Sequence, residues 1–334
     1  MQNVTVIGAG SWGTALSVHL GRIGHAVRLW VREPQLYDDM CRRRVNTMFL
    51  PEVGLPESVR PCASLEEALA GAHLLVNAVP SHGVRSVLRA AAPFVPPAIP
   101  VVSATKGLEA KTLLRMSQVC AEELGDGHAV AALSGPSFAS EVARELPAAV
   151  SVACTDPRTA ETVQAQFRAR YFRLYATSDV AGVELGGALK NIIAIAAGTI
   201  EGLGLGHNAL AALITRGLAE MSRLAAAAGA RRETLAGLSG LGDLVLTCTG
   251  NLSRNRRVGI ELGRGRSLGE ILASTQMVAE GVPTTFAALA LGERYGVELP
   301  IAAQMSEVLA GRKDPRVAVE DLMLRPQRSE AEAG

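Results

Sequence analysis

The chain opens on a short apolar run, Val4-Thr5-Val6-Ile7. Gly8-Ala9-Gly10-Ser11-Trp12-Gly13 follows at once, and then Thr14-Ala15-Leu16-Ser17-Val18-His19-Leu20, whose apolar residues recur at helical spacing. Short apolar runs then alternate with helical stretches through the first half. Strands are predicted over 26–31, 73–79, 100–104, 129–133, 148–154 and 171–175, and helices over 81–92, 112–124 and 158–170. Ser64-Leu65-Glu66-Glu67 reads as a capping-box start for a further helix. Such alternation calls for an open, mostly parallel sheet with helices on both faces. Past Asp179 the strand signal almost vanishes and long alanine-rich helical segments take over. The expected architecture is an α/β, doubly wound domain over 1–178, followed by an all-α domain over 179–334.

The first turn carries chemistry. Its G-x-G-x-x-G stands between a strand and a helix, as dinucleotide binding by a Rossmann-type domain requires. Gly8 permits the tight turn, Gly10 lets the backbone approach a pyrophosphate, and Gly13 lets helix pack on strand. The helix N-terminus offers unpaired N–H groups and partial positive charge to the phosphates. The second strand ends at Arg32-Glu33. An acid there suits the ribose hydroxyls of NAD and an Arg suits the 2′-phosphate of NADP, so the pair leans to NADPH and leaves NADH open. Arg32 also reads as an ordinary solvated surface charge. Asn77-Ala78-Val79-Pro80, Thr105-Lys106-Gly107 and Ser134-Gly135-Pro136-Ser137 fall at the carboxyl ends of predicted strands, where ligands of such sheets gather.

Composition narrows the picture. With 33 basic against 32 acidic residues the formal charge is +1, without the basic excess of a nucleic-acid binder, so any anion must be met by a local cluster. Hydrophobic residues at 48% and charged residues at 19% are those of a globular chain. The cysteines (Cys41, Cys62, Cys120, Cys154, Cys248) are odd in number, scattered and without a CxxC pair; they read as reduced thiols of a cytoplasmic protein. The histidines are dispersed too, and no metal site is expected. The strand pattern of the first residues is not that of a signal peptide. The most apolar stretch, 192–205, is short and contains Glu201, so no membrane insertion is expected.

Only four of the 33 cationic residues are lysine: Lys106, Lys111, Lys190 and Lys313. On such a background a retained lysine reads either as a place where an exchangeable proton matters, since guanidinium does not release one, or as chance retention; Lys111 and Lys313 fit the second reading, while Lys106 and Lys190 have motif context. Lys190 stands among Ala188, Leu189, Ile192, Ile193 and Ala194, where burial would lower its pKa, and a second amine such as Lys106 would lower it further. It reads either as a general acid/base for a carbonyl–alcohol couple or as a lysine snorkelling from an amphipathic helix. Likewise Ser253-Arg254-Asn255, after a run rich in Gly, Ser and Asn, reads either as a phosphate clamp at a helix start or as a plain capped helix.

Several motifs occur in a fixed order along the chain. They are Gly8-Ala9-Gly10-Ser11-Trp12-Gly13, Thr105-Lys106-Gly107-Leu108-Glu109, Ser134-Gly135-Pro136-Ser137-Phe138-Ala139, and Gly187-Ala188-Leu189-Lys190-Asn191-Ile192-Ile193-Ala194. Gly240-Leu241-Gly242-Asp243, Ser253-Arg254-Asn255 and Val278-Ala279-Glu280-Gly281-Val282 complete the set. Through them the chain resembles the bacterial-type glycerol-3-phosphate dehydrogenases along nearly its whole length, up to a polar tail from about Arg325. The resemblance implies reversible hydride transfer between NADPH (or NADH) and the dihydroxyacetone phosphate/sn-glycerol 3-phosphate couple. It also implies a place in making the glycerol backbone of phospholipids. Lys190 would be the proton acceptor in oxidation and the donor in reduction. Lys106, Gly135, Ser137, Lys190, Asp243, Ser253, Arg254 and Asn255 would hold substrate. Gly8, Gly10, Ser11, Trp12, Gly13, Arg32, Lys106, Ala139, Arg254, Val278 and Glu280 would contact the cofactor. A homodimer is the expected assembly. Two rival readings remain at this point: a related two-domain hydroxyacid or sugar-acid dehydrogenase, which needs no Ser-Arg-Asn clamp, and a non-catalytic NAD(P)H sensor, which needs no Lys190.

Overall fold

The computed structural model describes residues 2–274 and 279–327. Its contacts divide into two units, one of Met1–Thr105 with Met116–Val180, the other of Lys106–Arg115 with Ala181–Gly334.

Unit 1 is built on ten strands: β1 (Asn3–Ile7), β2 (Ala26–Trp30), β3 (Val45–Asn46), β4 (Leu50–Gly54), β5 (Val59–Cys62), β6 (Leu74–Asn77), β7 (Val101–Ser103), β8 (Val130–Ser134), β9 (Ala148–Ala153) and β10 (Phe172–Thr177). Eight of them form one sheet in the order β10-β9-β8-β7-β6-β1-β2-β5. The order reverses at β1, which pairs in parallel with both β2 and β6. Sheet binding sites sit beyond the carboxyl ends of strands at such a switch point. The central strands are apolar on both faces (Val4, Val6, Leu74, Leu75, Val76), as a sheet covered on both sides requires. The helices are α1 (Ser11–Arg22), α2 (Pro34–Arg43), α3 (Leu65–Leu69), α4 (Val84–Ala91), α5 (Met116–Leu124), α6 (Ala139–Ala143) and α7 (Pro157–Phe167). Ser64 caps α3 by accepting from the Glu67 N–H, the forward half of the predicted capping box, while the Glu67 carboxylate pairs with Arg60.

The details add to the sequence pattern in physically clear ways. β9 runs antiparallel to β8 and parallel to β10; hydrophobic patterning reports that a strand is buried, not which way it points. β5 carries Pro61, which a sheet tolerates at its edge, and that proline hides the strand from a reading by propensity. The helix expected over 112–124 starts only at Met116, because residues 106–115 fold with the other unit.

Unit 2 is helical: α8 (Val180–Gly202), α9 (Gly206–Ala227), α10 (Arg232–Ala236), α11 (Asp243–Thr249), α12 (Arg254–Gly263), α13 (Leu268–Ala273), α14 (Gly281–Tyr295), α15 (Pro300–Leu309) and α16 (Pro315–Met323), with a π-type turn at Leu238–Gly242. Its axis is α8, apolar on every side and buried from Gly182 to Ile200. Among the described residues α8 is the one helix long and apolar enough to cross a membrane, and 89% of its most apolar window is buried inside the protein, the signature of a core helix. α12 crosses α8 backbone to backbone: a β-carbon at Gly198 would lie 1.9 Å from the Arg256 carbonyl oxygen, and one at Gly259 would lie 1.9 Å from that of Ile195. This crossing fixes α12 against the C-terminal half of α8. Behind α8, the buried Glu220 of α9 accepts from the Ile301 and Ala302 N–H groups at 2.8 and 3.0 Å, capping α15. Burial pushes that carboxyl up to about 7 although the two N–H groups oppose the shift.

Candidate active site

In unit 1 the glycine-rich turn has the form its spacing predicts. Gly8 adopts φ +110°, and a β-carbon there would meet the Ala78 carbonyl carbon at 2.9 Å, so the loops after β1 and β6 lie in contact. At Gly13 a β-carbon would come within 1.9 Å of the Gly8 oxygen. At Gly10 it would meet nothing within 4 Å. Gly8 and Gly13 are therefore glycine for the protein's own packing, whereas the space at Gly10 is open for something else. Gly10 is the N-cap of α1 and no side chain caps that helix, so its first N–H groups, on Ser11 and Trp12, suit an oxyanion. An NAD(P) pyrophosphate fits these features. Beyond β2, Arg32 donates from Nε and Nη2 to one Glu33 oxygen at 2.9 and 2.7 Å, and its side chain is 68% exposed. The two specificity signals read from the sequence thus hold each other. At the end of β8, Gly135 (φ +139°) packs on Val150, Ser137 donates to the Gly135 carbonyl at 2.9 Å, and Ala139 opens α6.

Unit 2 gathers two of the predicted residues, Lys106 and Lys190, about the carboxylate of a third, Asp243. Asp243, at the start of α11 and 1% exposed, accepts from Lys190 Nζ on Oδ1 at 2.5 Å and from Lys106 Nζ on Oδ2 at 2.6 Å. Thr247, one turn along α11, accepts from Lys190 at 2.7 Å while donating to the Asp243 carbonyl oxygen at 2.6 Å. Two of the three N–H bonds of Lys190 therefore have partners among the described residues. Two ammoniums share one carboxylate, leaving the cluster a net positive charge. Burial lowers the Lys190 pKa to about 8; Asp243 opposes that shift and Lys106 adds to it. The snorkelling reading falls, because this lysine is buried within its unit and held at its tip. Thr247 is not among the residues that motif or resemblance singles out, although its spacing from Asp243 places both on one face of a helix.

The residues around α12 divide. Ser253 caps α12, accepting from the Arg256 N–H at 3.2 Å. Arg254, beside it, keeps an exposed surface, yet the protein around its guanidinium lowers its pKa, and the Glu280 carboxylate opposes that shift. Asn255 is buried; its Nδ2 donates to Asn191 Oδ1 at 2.9 Å and its Oδ1 accepts from the Gly281 N–H at 3.0 Å, tying α12, α8 and α14 together. The helix start is thus capped, and the Arg254 guanidinium beside the cap stands within the field of Glu280. Val278 lies outside the described residues. Among the described residues no three His, Cys, Asp or Glu side chains group as metal ligands.

Comparison with known proteins bears on this arrangement. Residues 3–160 match the family described as NAD-dependent glycerol-3-phosphate dehydrogenase N-terminus, and residues 179–320 match its C-terminus. The chain is 52% identical over 334 residues to glycerol-3-phosphate dehydrogenase [NAD(P)+] of Koribacter versatilis, covering 99% of each chain. It is 53% identical over 330 residues to the protein of the same name from Syntrophotalea carbinolica, covering 98% of this chain and 99% of that one. Among solved structures, glycerol-3-phosphate dehydrogenase from Coxiella burnetii superposes with a TM-score of 0.94 at 41% identity, over 97% of this chain and 99% of that one.

Proposed function

The chain belongs to the NAD-dependent glycerol-3-phosphate dehydrogenase family, and from that premise we propose how its own residues carry out the NAD(P)-dependent interconversion of dihydroxyacetone phosphate and sn-glycerol 3-phosphate. The observation that carries the proposal is the Lys190–Asp243–Lys106 cluster.

The bound nicotinamide cofactor supplies the hydride in reduction and accepts it in oxidation. Lys190 handles the proton. As an ammonium it donates to the C2 oxygen through the N–H that Asp243 and Thr247 leave over, and as a neutral amine it takes that proton back in oxidation. A pKa of about 8 places both forms within reach near neutral pH. Asp243 fixes the amine by one oxygen and Lys106 by the other, and the Lys106 charge favours oxyanion character at C2. Arg254 binds the phosphate, which sets the orientation of the three-carbon chain. Asn255 acts by holding α12 to α8, so that the arginine keeps its place. Gly10 and the first N–H groups of α1 receive the pyrophosphate, and Arg32, once released from Glu33, the 2′-phosphate of NADPH. Reduction is the direction we assign, with the product consumed by reactions that acylate a glycerol phosphate. Free cysteines, with Cys41 exposed, support the expected cytoplasmic setting.

A spectrophotometric assay with dihydroxyacetone phosphate and each reduced cofactor in turn tests this reading. Rapid oxidation of NADPH, much slower with unphosphorylated dihydroxyacetone, is the expected outcome. Equal rates with the two ketones would remove the phosphate clamp, and no turnover with either cofactor would remove the activity.

A further inference from the structure

The segment between β7 and α5 is the one part of the chain's first half that folds with the helices of unit 2. It closes on itself as a strap. Leu108 and Arg115 form an antiparallel bridge, the Glu109 N–H donates to the Leu114 carbonyl at 2.9 Å, and the Leu113 N–H returns to the Glu109 carbonyl at 2.8 Å. Leu108 is buried in the apolar core of that unit. At one end the strap bears Lys106, which reaches Asp243. At the other, Arg115 Nη1 donates to Glu184 Oε2 at 2.6 Å, and the Glu184 side chain is only 4% exposed. Glu184 and Lys190 both stand on α8. A ring of contacts therefore leaves α8 at Glu184, passes through Arg115, the bridge to Leu108 and the Lys106 ammonium, and returns through Asp243 to Lys190.

We propose that Arg115 and Glu184 are positioning residues: their ion pair fastens the strap to α8 and so fixes the Lys106 ammonium on the Asp243 carboxylate beside Lys190. This inference rests on the reading of Lys190 as the acid/base but assigns work to residues outside the cluster. A carboxylate as deeply buried as Glu184 is costly to desolvate and is held by its guanidinium partner. Losing the pair removes a buried charged tie between that end of the strap and α8, and Lys106, whose side chain is still 18% exposed, gains freedom to leave Asp243. The groups that face Lys190 are Asp243, Thr247 and Cys248 on α11 and Lys106 on the strap. Burial pushes the Cys248 thiol up to about 12, so it stays neutral near pH 8. Displacing Lys106 removes the cation that disfavours the Lys190 ammonium and leaves Asp243 wholly to Lys190, so both effects raise the proton affinity of Lys190.

The chain has four lysines, so lysine labelled with 13C at Cε gives a sparse spectrum in which Lys190 can be titrated in the full-length protein without turnover. In Glu184→Gln the Lys190 midpoint should move up by about half a pH unit or more, as it should in Lys106→Met. The double variant should move it no further than Lys106→Met alone. In parallel, kcat/KM for dihydroxyacetone phosphate should fall about 10- to 100-fold, the scale of a misplacement near 1 Å. Arg115→Lys, which keeps the charge but loses the fork, should show the same upward shift in smaller degree and serves if Glu184→Gln does not fold. A Lys190 midpoint unmoved in folded Glu184→Gln or Arg115→Lys, or a double variant with additive shifts, would overturn the proposal. The titration needs no substrate, so a wild-type chain inactive on dihydroxyacetone phosphate would defeat the functional reading separately.

Discussion

On the function proposed above, the two halves of this chain meet anions by different means. At the turn after β1 the work is done by backbone: Gly8 and Gly13 fill tight places, Gly10 keeps one open, and the N-terminus of α1 is left without a side-chain cap. Around α8 it is done by side chains drawn from distant points, Lys106, Lys190, Asp243 and Thr247, which share one carboxylate in a buried setting. A backbone site binds without titrating. A buried side-chain cluster changes its charge with pH, and its chemistry depends on every neighbour that holds it.

Substitutions can sharpen that contrast. The largest effect is expected from Lys190→Arg, which keeps a positive charge but loses the exchangeable proton. Its kcat should fall by about 10²- to 10⁴-fold, while the Kd for NADPH, measured by fluorescence titration, stays near the wild-type value. Arg254→Ala comes next. Losing a charge-assisted contact worth about 1.5–3 kcal/mol should raise KM for dihydroxyacetone phosphate roughly 10- to 150-fold, and an unchanged KM would place the phosphate elsewhere. Gly10→Val tests the backbone half. A β-carbon there meets nothing in the protein within 4 Å, so Tm should hold while KM for NADPH rises about tenfold or more. A fall in Tm with unchanged cofactor binding would mean that Gly10, like Gly13, serves packing. The smallest effect belongs to Glu33→Gln. Freeing Arg32 from an exposed pair worth no more than about 1 kcal/mol should shift the NADPH-to-NADH ratio of kcat/KM a few-fold towards NADPH.

The same contrast explains what could be read from the sequence. The glycine turn was legible because its residues, its strand and its helix are consecutive. Lys190 could be picked out by the scarcity of lysine and by its apolar neighbours, whereas resemblance to a family named Asp243 only as a substrate contact, and its bond to Lys190, 53 positions away, is visible only in the fold. Thr247 lay one helical turn from Asp243 and could have been found from that spacing. The strap could not. Residues 112–115 carry a helix-like pattern, and what overrides it is an ion pair to Glu184, 69 positions away, together with a bridge to Leu108. Strand direction was equally hidden, since β8 and β9 are apolar alike whichever way they run. Asn255 shows the converse limit. Family resemblance named the residue as a substrate contact, and the fold adds a structural task that resemblance did not name: one Nδ2–H and the Oδ1 of its amide tie α12 to α8 and α14.

The most direct test of the account is the pH dependence of dihydroxyacetone phosphate reduction by the wild-type protein at saturating NADPH. In this direction Lys190 acts as the ammonium, so activity requires its protonated form and is lost as pH rises through its pKa. kcat/KM should therefore be level below pH 7 and fall tenfold per unit well above a midpoint near 8, where burial and Lys106 have brought the amine from 10.5. A profile that stays level to pH 10 would show that this amine is not the proton donor.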